Sequence, residues 1–148
     1  MRSRALLVLP FLLLPLALAA CGQSAESTAA AATPGPAVTV TAPAAPERVD
    51  AARFAEVVAT PGVTVIDVRT PEEFAEGHIA GALNYNVQGP DFAQQISTLD
   101  PAGTYAVYCR SGNRSQPAVA AMAGAGITGI YELQTGIVGW QEAGLPVE

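Results

Sequence analysis

Strand-like and helix-like segments alternate along residues 47–148, and this alternation limits the possible folds more than any other feature of the sequence. Two short apolar runs, residues 63–68 and 105–108, are rich in β-branched and aromatic side chains, which is typical of buried strands. Segments with helical spacing lie between and after these runs. The order predicts an α/β fold with a mostly parallel central sheet and helices on both faces.

Capping signals mark the starts of two helices. Asp50 is placed to cap a helix that carries Phe54 and Val57 on its apolar face, and turn residues 60–62 end this helix. Residues 70–73, Thr-Pro-Glu-Glu, form a capping-box sequence with proline at the first helical position. A short helix reaching about residue 76 is therefore expected.

The remaining elements give weaker signals but keep the same alternation. The sequence contains no internal repeat. In chain order we predict a strand within 82–87, a helix through Phe92 and Ile96, a helix over 117–122, a strand over 130–133 and a terminal helix with Trp140.

Residues 1–20 have the features of a secretory signal peptide. Arg2 and Arg4 precede an apolar run, residues 5–20, that is too short and too interrupted by proline to be a good membrane span. The run ends in Leu-Ala-Ala-Cys-Gly, which resembles the bacterial lipobox, where the cysteine is lipidated and becomes the mature N-terminus. We therefore expect an exported lipoprotein anchored through Cys21 on the extracytoplasmic side of a bacterial membrane. An ordinary signal peptide, cut after an Ala-x-Ala site, is the alternative.

The lipidated N-terminus is followed by a stretch of low hydrophobicity. Residues 22–46 consist mainly of Ala, Thr, Ser and Pro, with Val38 and Val40 as the only large apolar side chains. Such a composition buries too little apolar surface to offset the entropy of ordering the chain. The sequence thus predicts a signal peptide over 1–20, a lipidated, disordered tether over 21–46 and one folded domain over 47–148.

Charge and composition exclude two kinds of site. Without Arg2 and Arg4 the chain keeps five arginines, no lysine and 13 acidic residues, a formal charge of −8, so a nucleic-acid partner is not expected. One histidine and one cysteine besides the lipidated Cys21 cannot build a zinc site of the usual kind. We expect neither a metal nor a cofactor.

Cys109 is the candidate nucleophile. It follows the predicted strand 105–108 and opens the loop 109–115, and ligands of open α/β sheets bind at the carboxyl ends of strands. Small residues in the loop let backbone amides turn inward, and the loop leads into a helix N-terminus, which together form an anion site. Because Arg110 and Arg114 also flank the sulfur, we expect the thiolate to be favoured.

Three separated motifs resemble those of single-domain rhodaneses, which have a three-layer α/β fold. The loop Cys109-Arg110-Ser111-Gly112-Asn113-Arg114-Ser115 resembles the active-site loop of that family. The other two motifs are Val65-Ile66-Asp67-Val68-Arg69 with Glu73, Gly77-His78-Ile79, Gly81-Ala82 and Asn84, and Gly136-Ile137-Val138-Gly139-Trp140 with Gly144-Leu145-Pro146.

The resemblance implies a sulfurtransferase in which Cys109 carries sulfur as a persulfide. The donor would be a small sulfur-containing anion such as thiosulfate, and the acceptor would be cyanide or a thiol. The loop residues would bind the substrate: Arg110, Ser111, Gly112, Asn113, Arg114 and Ser115. One departure concerns the turn after the last strand, where the family commonly has paired glycines and this chain has Thr135-Gly136.

Three further polar residues are expected to support the site. Asp67 and Arg69 follow the first buried strand, where the carboxylate can anchor neighbouring turns and the arginine can pair with it. His78 lies in Gly-His-Ile, which indicates a turn residue bonded to backbone rather than a general base.

Other functions remain open at this point. Phosphatases and arsenate reductases also place a cysteine in an anion-binding loop, but their arginine lies six positions after the cysteine, whereas Arg114 lies five after Cys109. A non-catalytic or sensing rhodanese-like module that binds an envelope protein is a second alternative, and a persulfide carrier is a third. The sequence identifies no protein partner.

Overall fold

The computed structural model describes residues 39–148. The predicted signal peptide, the lipidation site Cys21 and residues 22–38 of the predicted tether lie outside these residues. The strands are β1 (Glu47–Val49), β2 (Val63–Asp67), β3 (Leu83–Asn84), β4 (Thr104–Tyr108) and β5 (Ile130–Leu133). The helices are α1 (Ala51–Val58), α2 (Pro71–Ala75), α3 (Phe92–Ser97), α4 (Ser115–Gly124) and α5 (Gly136–Glu142).

The five strands form one sheet in the order β1-β5-β4-β2-β3, and every neighbouring pair is parallel. Alternate side chains of β4 enter two separate cores. Ala106 and Tyr108 pack with α1 and α5, whereas Tyr105 and Val107 pack with α3 and α4. The predicted three-layer α/β fold with helices on both faces of the sheet is confirmed.

The helix starts follow the predicted capping residues. The Asp50 side chain accepts a hydrogen bond from the backbone N–H of Arg53 at 2.8 Å and caps α1. At α2 both halves of the capping box are present, between Thr70 and Glu73. Local interactions along the chain therefore specify where both helices begin.

Two boundaries differ from the sequence-based expectation. The strand predicted within 82–87 forms only over Leu83–Asn84. After Asn84 the backbone makes only isolated hydrogen bonds to the end of β2 and to Val68, for example from Tyr85 N–H to the Asp67 carbonyl. Helix α4 begins at Ser115, two residues before the predicted start, so that the loop containing Cys109 leads directly into it.

The folded part extends beyond the predicted boundary at residue 47. Val40, assigned by composition to the tether, is 8% exposed and packs in the core cluster shared with α1 and α5. The Tyr131 hydroxyl donates a hydrogen bond of 2.7 Å to the Thr41 carbonyl. Strand β1, which the sequence analysis missed, pairs with β5 at one edge of the sheet. Within residues 39–148, no helix is long and apolar enough to cross a bilayer.

Candidate active site

The loop that carries Cys109 lies at the carboxyl end of β4, a strand flanked on both sides by neighbours. The chain turns at Gly112, which has φ +82°, and enters α4 at Ser115. A Cβ at position 112 would collide with the carbonyl oxygen of Gln134. The loop can therefore close against the end of β5 only with glycine at this position.

The Cys109 sulfur is surrounded by hydrogen-bonding groups. The side chain is 1% exposed, the Gly112 N–H donates to Sγ at 3.2 Å, and Sγ lies 3.5 Å from Ser115 Oγ. Burial alone would raise the pKa of the thiol, but hydrogen bonding between the sulfur and the Ser115 side chain, together with the amides of Ser115, Ser111 and Gly112, lowers it. The expected preference for thiolate thus comes mainly from the loop's own donors.

Arg114 does not face the substrate space as a free charge. Its Nη1 and Nη2 lie 2.6 and 2.7 Å from the two carboxylate oxygens of Glu73 on α2. Hydrogen bonding to Arg114 lowers the pKa of Glu73 to about 2. The sequence analysis placed Arg114 among the substrate-binding residues of the loop, and in the structure its pairing with Glu73 fastens the loop to α2.

Arg110 has the opposite environment. Its side chain is exposed, and among residues 39–148 it is the only arginine without a carboxylate partner. It lines a pocket of about 380 Å³ together with Arg69, Glu73, Glu76, Gly77, Ile137, Val138 and Gln141. The pocket borders the loop, because the amide of Val138 donates to the Arg110 carbonyl at 3.2 Å. Arg110 is thus the guanidinium placed to attract an anion to this site.

The other loop residues mainly shape the turn. The side chains of Ser111 and Asn113 are exposed and contact each other at 3.5 Å. The Gly112 carbonyl accepts a hydrogen bond of 2.8 Å from Gln116 Nε2 on α4. Ser111 and Gly112 interact with the sulfur through their backbone N–H groups, whereas Ser115 interacts with it through its N–H and through its hydroxyl oxygen, which accepts from the thiol.

The turn after β5 supports the loop from behind. The Ile137 amide donates to the Cys109 carbonyl at 2.9 Å, and a Cβ at Gly136, which has φ +60°, would collide with the Arg110 backbone. Thr135 has φ −98°, a conformation open to any residue. Threonine therefore replaces the family's first glycine at position 135, which tolerates a side chain, whereas Gly136 keeps its close contact with the Arg110 backbone.

Asp67 and Arg69 form a buried ion pair beside the loop. Asp67 is 0% and Arg69 5% exposed, and Arg69 Nη2 lies 2.7 Å from Asp67 Oδ2 and 2.7 Å from the Gly77 carbonyl. Asn84 Nδ2 donates to the carbonyls of both residues. The pair thus joins β2 to the turns at Gly77 and Asn84.

His78 is bonded to backbone and not to the loop's functional groups. Its ring stacks on Phe74 with centroids 3.8 Å apart, and Nδ1 lies 3.1 Å from the Phe74 carbonyl. Nε2 lies 3.5 Å from Glu148. Among residues 39–148, no group of three or more His, Cys, Asp or Glu side chains is arranged to hold a metal ion.

Sequence reasoning missed two residues that contact this site. Glu132 of β5 accepts a hydrogen bond of 2.7 Å from Ser115 Oγ, and Arg48 of β1 pairs with Glu132 at 3.1 Å. A single carboxylate within the otherwise uncharged strand 130–133 was the available signal, because a charge in a buried strand needs a partner.

Comparison with known proteins gives a consistent assignment. The chain is 38% identical over 97 residues to thiosulfate sulfurtransferase 16, chloroplastic, of Arabidopsis thaliana, covering 59% of this chain and 81% of that protein. It is 36% identical to the senescence-associated protein DIN1 of Raphanus sativus, of which it spans 58%. The crystal structure of a rhodanese-related protein from Thermoplasma volcanium aligns with a TM-score of 0.61 and 33% identity, covering 69% of this chain and 97% of that one.

A protein-family model also matches most of the folded part of the chain. Residues 50–143 match the family described as Rhodanese-like domain, and this region includes the loop 109–115, the Asp67–Arg69 pair and the turn at Gly136. The chain therefore belongs to the rhodanese-like domain family, which includes thiosulfate sulfurtransferases.

Proposed function

We propose that the protein is a sulfurtransferase that moves sulfane sulfur from a donor such as thiosulfate to cyanide or a thiol. The observation that carries the proposal is the environment of Cys109, whose sulfur lies at the end of a central strand and accepts hydrogen bonds from loop donors. These donors stabilise a negative charge on sulfur, which both the thiolate and the persulfide require.

The reaction has two balanced halves. In the first, the Cys109 thiolate attacks the outer sulfur of thiosulfate, the S–S bond of the donor breaks, and sulfite leaves with the electron pair. In the second, cyanide attacks the outer sulfur of the persulfide, which releases thiocyanate and restores the thiolate. Arg110 attracts the dianionic donor, since it is the arginine without a carboxylate partner in the described part of the chain.

Intact mass spectrometry of the full-length protein tests the proposal. Incubation with thiosulfate should add one sulfur, about 32 Da, and cyanide should remove it. A Cys109→Ser variant is the matched control and should stay unmodified. No adduct on a wild-type protein whose thiol still reacts with an alkylating agent would favour the alternative, a binding or sensing module for an envelope partner.

We propose separately that the protein is an exported lipoprotein held at a membrane by Cys21. The support is the sequence of the leader, with Arg2 and Arg4 before an apolar run that ends in the lipobox-like residues 18–22. Metabolic labelling with a palmitate analogue should mark the wild type and not a Cys21→Ser variant. Labelling of both proteins, or of neither, would count against the anchor.

A further inference from the structure

Glu132 is a buried carboxylate that the sulfur-transfer steps above do not use. It is 2% exposed and lies in β5 between Tyr131 and Leu133. Its two oxygens have different partners, since Oε2 lies 3.1 Å from Arg48 Nε and Oε1 lies 2.7 Å from Ser115 Oγ. Because Arg48 is 44% exposed, water screens its charge, and Ser115 is the fully buried partner.

Ser115 connects this carboxylate to the nucleophile. Its hydroxyl donates to Glu132, and the same oxygen accepts a hydrogen bond from the Cys109 thiol over 3.5 Å. A serine hydroxyl carries one proton and cannot donate to a carboxylate and a thiolate at the same time. The two anions therefore compete for one hydrogen bond.

We propose that Glu132 is a positioning residue that favours the thiol form of Cys109. It does so by accepting the Ser115 hydroxyl proton, which is then not available as a hydrogen bond to the sulfur. When the thiol loses its proton to water, the thiolate faces an oxygen lone pair until Ser115 rotates. That rotation transfers the hydrogen bond from Glu132 to Cys109 and leaves the carboxylate with Arg48 as its partner. Thiolate formation thus includes the cost of breaking the bond between Ser115 and Glu132.

Apart from the exposed Arg110, the other charged side chains near the site are already paired. Arg114 is neutralised by Glu73, and Asp67 by Arg69. Helix α5 donates the backbone N–H groups of Ile137 and Val138 to carbonyls of the loop. The Arg110 side chain is exposed to solvent. The bond between Glu132 and Ser115 is therefore the interaction through which a buried charge reaches the sulfur.

The test is the pH dependence of Cys109 alkylation by iodoacetamide in the full-length protein, with thiolate absorbance near 240 nm as a second readout. Glu132→Gln removes the charge but keeps the shape, and the midpoint should fall by roughly one pH unit. Glu47→Gln, an exposed site on β1, is the matched control and should leave the midpoint unchanged. Coincident curves for wild type and Glu132→Gln, or a higher midpoint in the variant, would overturn the proposal.

A double variant tests whether Glu132 acts through Ser115. When Glu132→Gln is added to Ser115→Ala, the pH midpoint of alkylation should change little. A change as large as in the wild-type protein would mean that the charge acts directly through space and would also overturn the proposal. If Glu132→Gln fails to fold, Arg48→Gln provides the test. Loss of the counter-ion should strengthen the bond to Ser115 and raise the midpoint, and an unchanged or lower midpoint contradicts the idea.

Alkylation needs no sulfur donor, so these outcomes are independent of the proposed sulfurtransferase activity. A protein that forms no persulfide can still show the predicted shift in thiol ionisation. Conversely, a protein that forms the persulfide but shows no shift retains its proposed function and loses only the role given to Glu132.

Discussion

Arg114 and Glu73 form a bidentate ion pair with N–O distances of 2.6 and 2.7 Å, although 41 positions separate them in the chain. Glu73 lies in the first turn of α2, and Arg114 ends the loop of Cys109. The pair therefore fastens the loop to α2 and uses the charge of Arg114 for this purpose. Arg110 is left as the arginine available to an incoming anion.

The first prediction concerns this division of roles. Replacing Arg110 with Gln should raise KM for thiosulfate about fivefold and change kcat little, because an exposed charge that attracts the donor is worth about 1 kcal/mol. Steady-state kinetics of thiosulfate and cyanide at low and moderate salt would measure the effect, which should shrink as salt rises. Arg53→Gln, a surface arginine on α1, is the control. An unchanged KM would place donor recognition elsewhere.

The second prediction concerns acid stability. The pKa of Glu73 is about 2 in the folded protein, below its ordinary value of 4.5, because Arg114 donates to its carboxylate. The pair thus stabilises the fold above about pH 4.5, and this contribution disappears as the pH falls towards 2. We expect Glu73→Gln to cost about 2 kcal/mol near pH 7, after allowance for partial solvent screening, and progressively less in acid.

Urea unfolding at a series of pH values checks this expectation. Glu72→Gln is the matched control, because Glu72 is exposed in the same helical turn. Its unfolding curves should follow those of the wild type. A constant difference between wild type and Glu73→Gln from pH 7 to 3 would show that the loss is one of packing and not of charge.

The third prediction separates two requirements for glycine. Gly62 and Gly112 both have positive φ, +87° and +82°, but a Cβ at Gly62 meets open space whereas a Cβ at Gly112 meets the Gln134 carbonyl. Gly62→Ala should cost about 1 kcal/mol of unfolding free energy for backbone strain alone. Gly112→Ala should in addition move the loop and slow alkylation of Cys109 at least tenfold.

Melting temperatures and alkylation rates of the two variants would distinguish the effects. If Gly112→Ala keeps the wild-type alkylation rate, the close packing between the loop and the end of β5 is not needed to position the sulfur donors.

The fourth prediction concerns the buried pair. Asp67→Asn would leave the Arg69 guanidinium, which is 5% exposed, without its counter-ion, at a cost of about 3 kcal/mol. Glu56→Gln breaks the pair of Glu56 with Arg53, in which both side chains are well exposed, and should leave stability unchanged within error. Chemical denaturation of both variants makes the comparison. Equal losses would contradict the importance of burial.

The sequence predicted the parts of the fold that depend on neighbouring residues. Asp50 and Thr70 cap their helices, and β2 and β4 are apolar runs long enough to recognise. It also predicted that Cys109 opens a loop between a strand and a helix. Strand β1 was missed because it has three residues, of which only Val49 is buried. Val40 was missed because one valine in an Ala- and Pro-rich stretch carries no periodicity.

The sequence by itself determined the alternation of strands and helices, the helix starts and the position of the nucleophile, because capping, turn formation and apolar periodicity act over a few residues. Only the tertiary structure decided that Arg114 pairs with Glu73, that Arg110 remains unpaired within residues 39–148, and that Ser115 lies between Cys109 and Glu132. These contacts join residues from different elements. Which charged or polar groups meet depends on how the sheet and helices pack, and the local sequence does not specify the distances between residues of different elements.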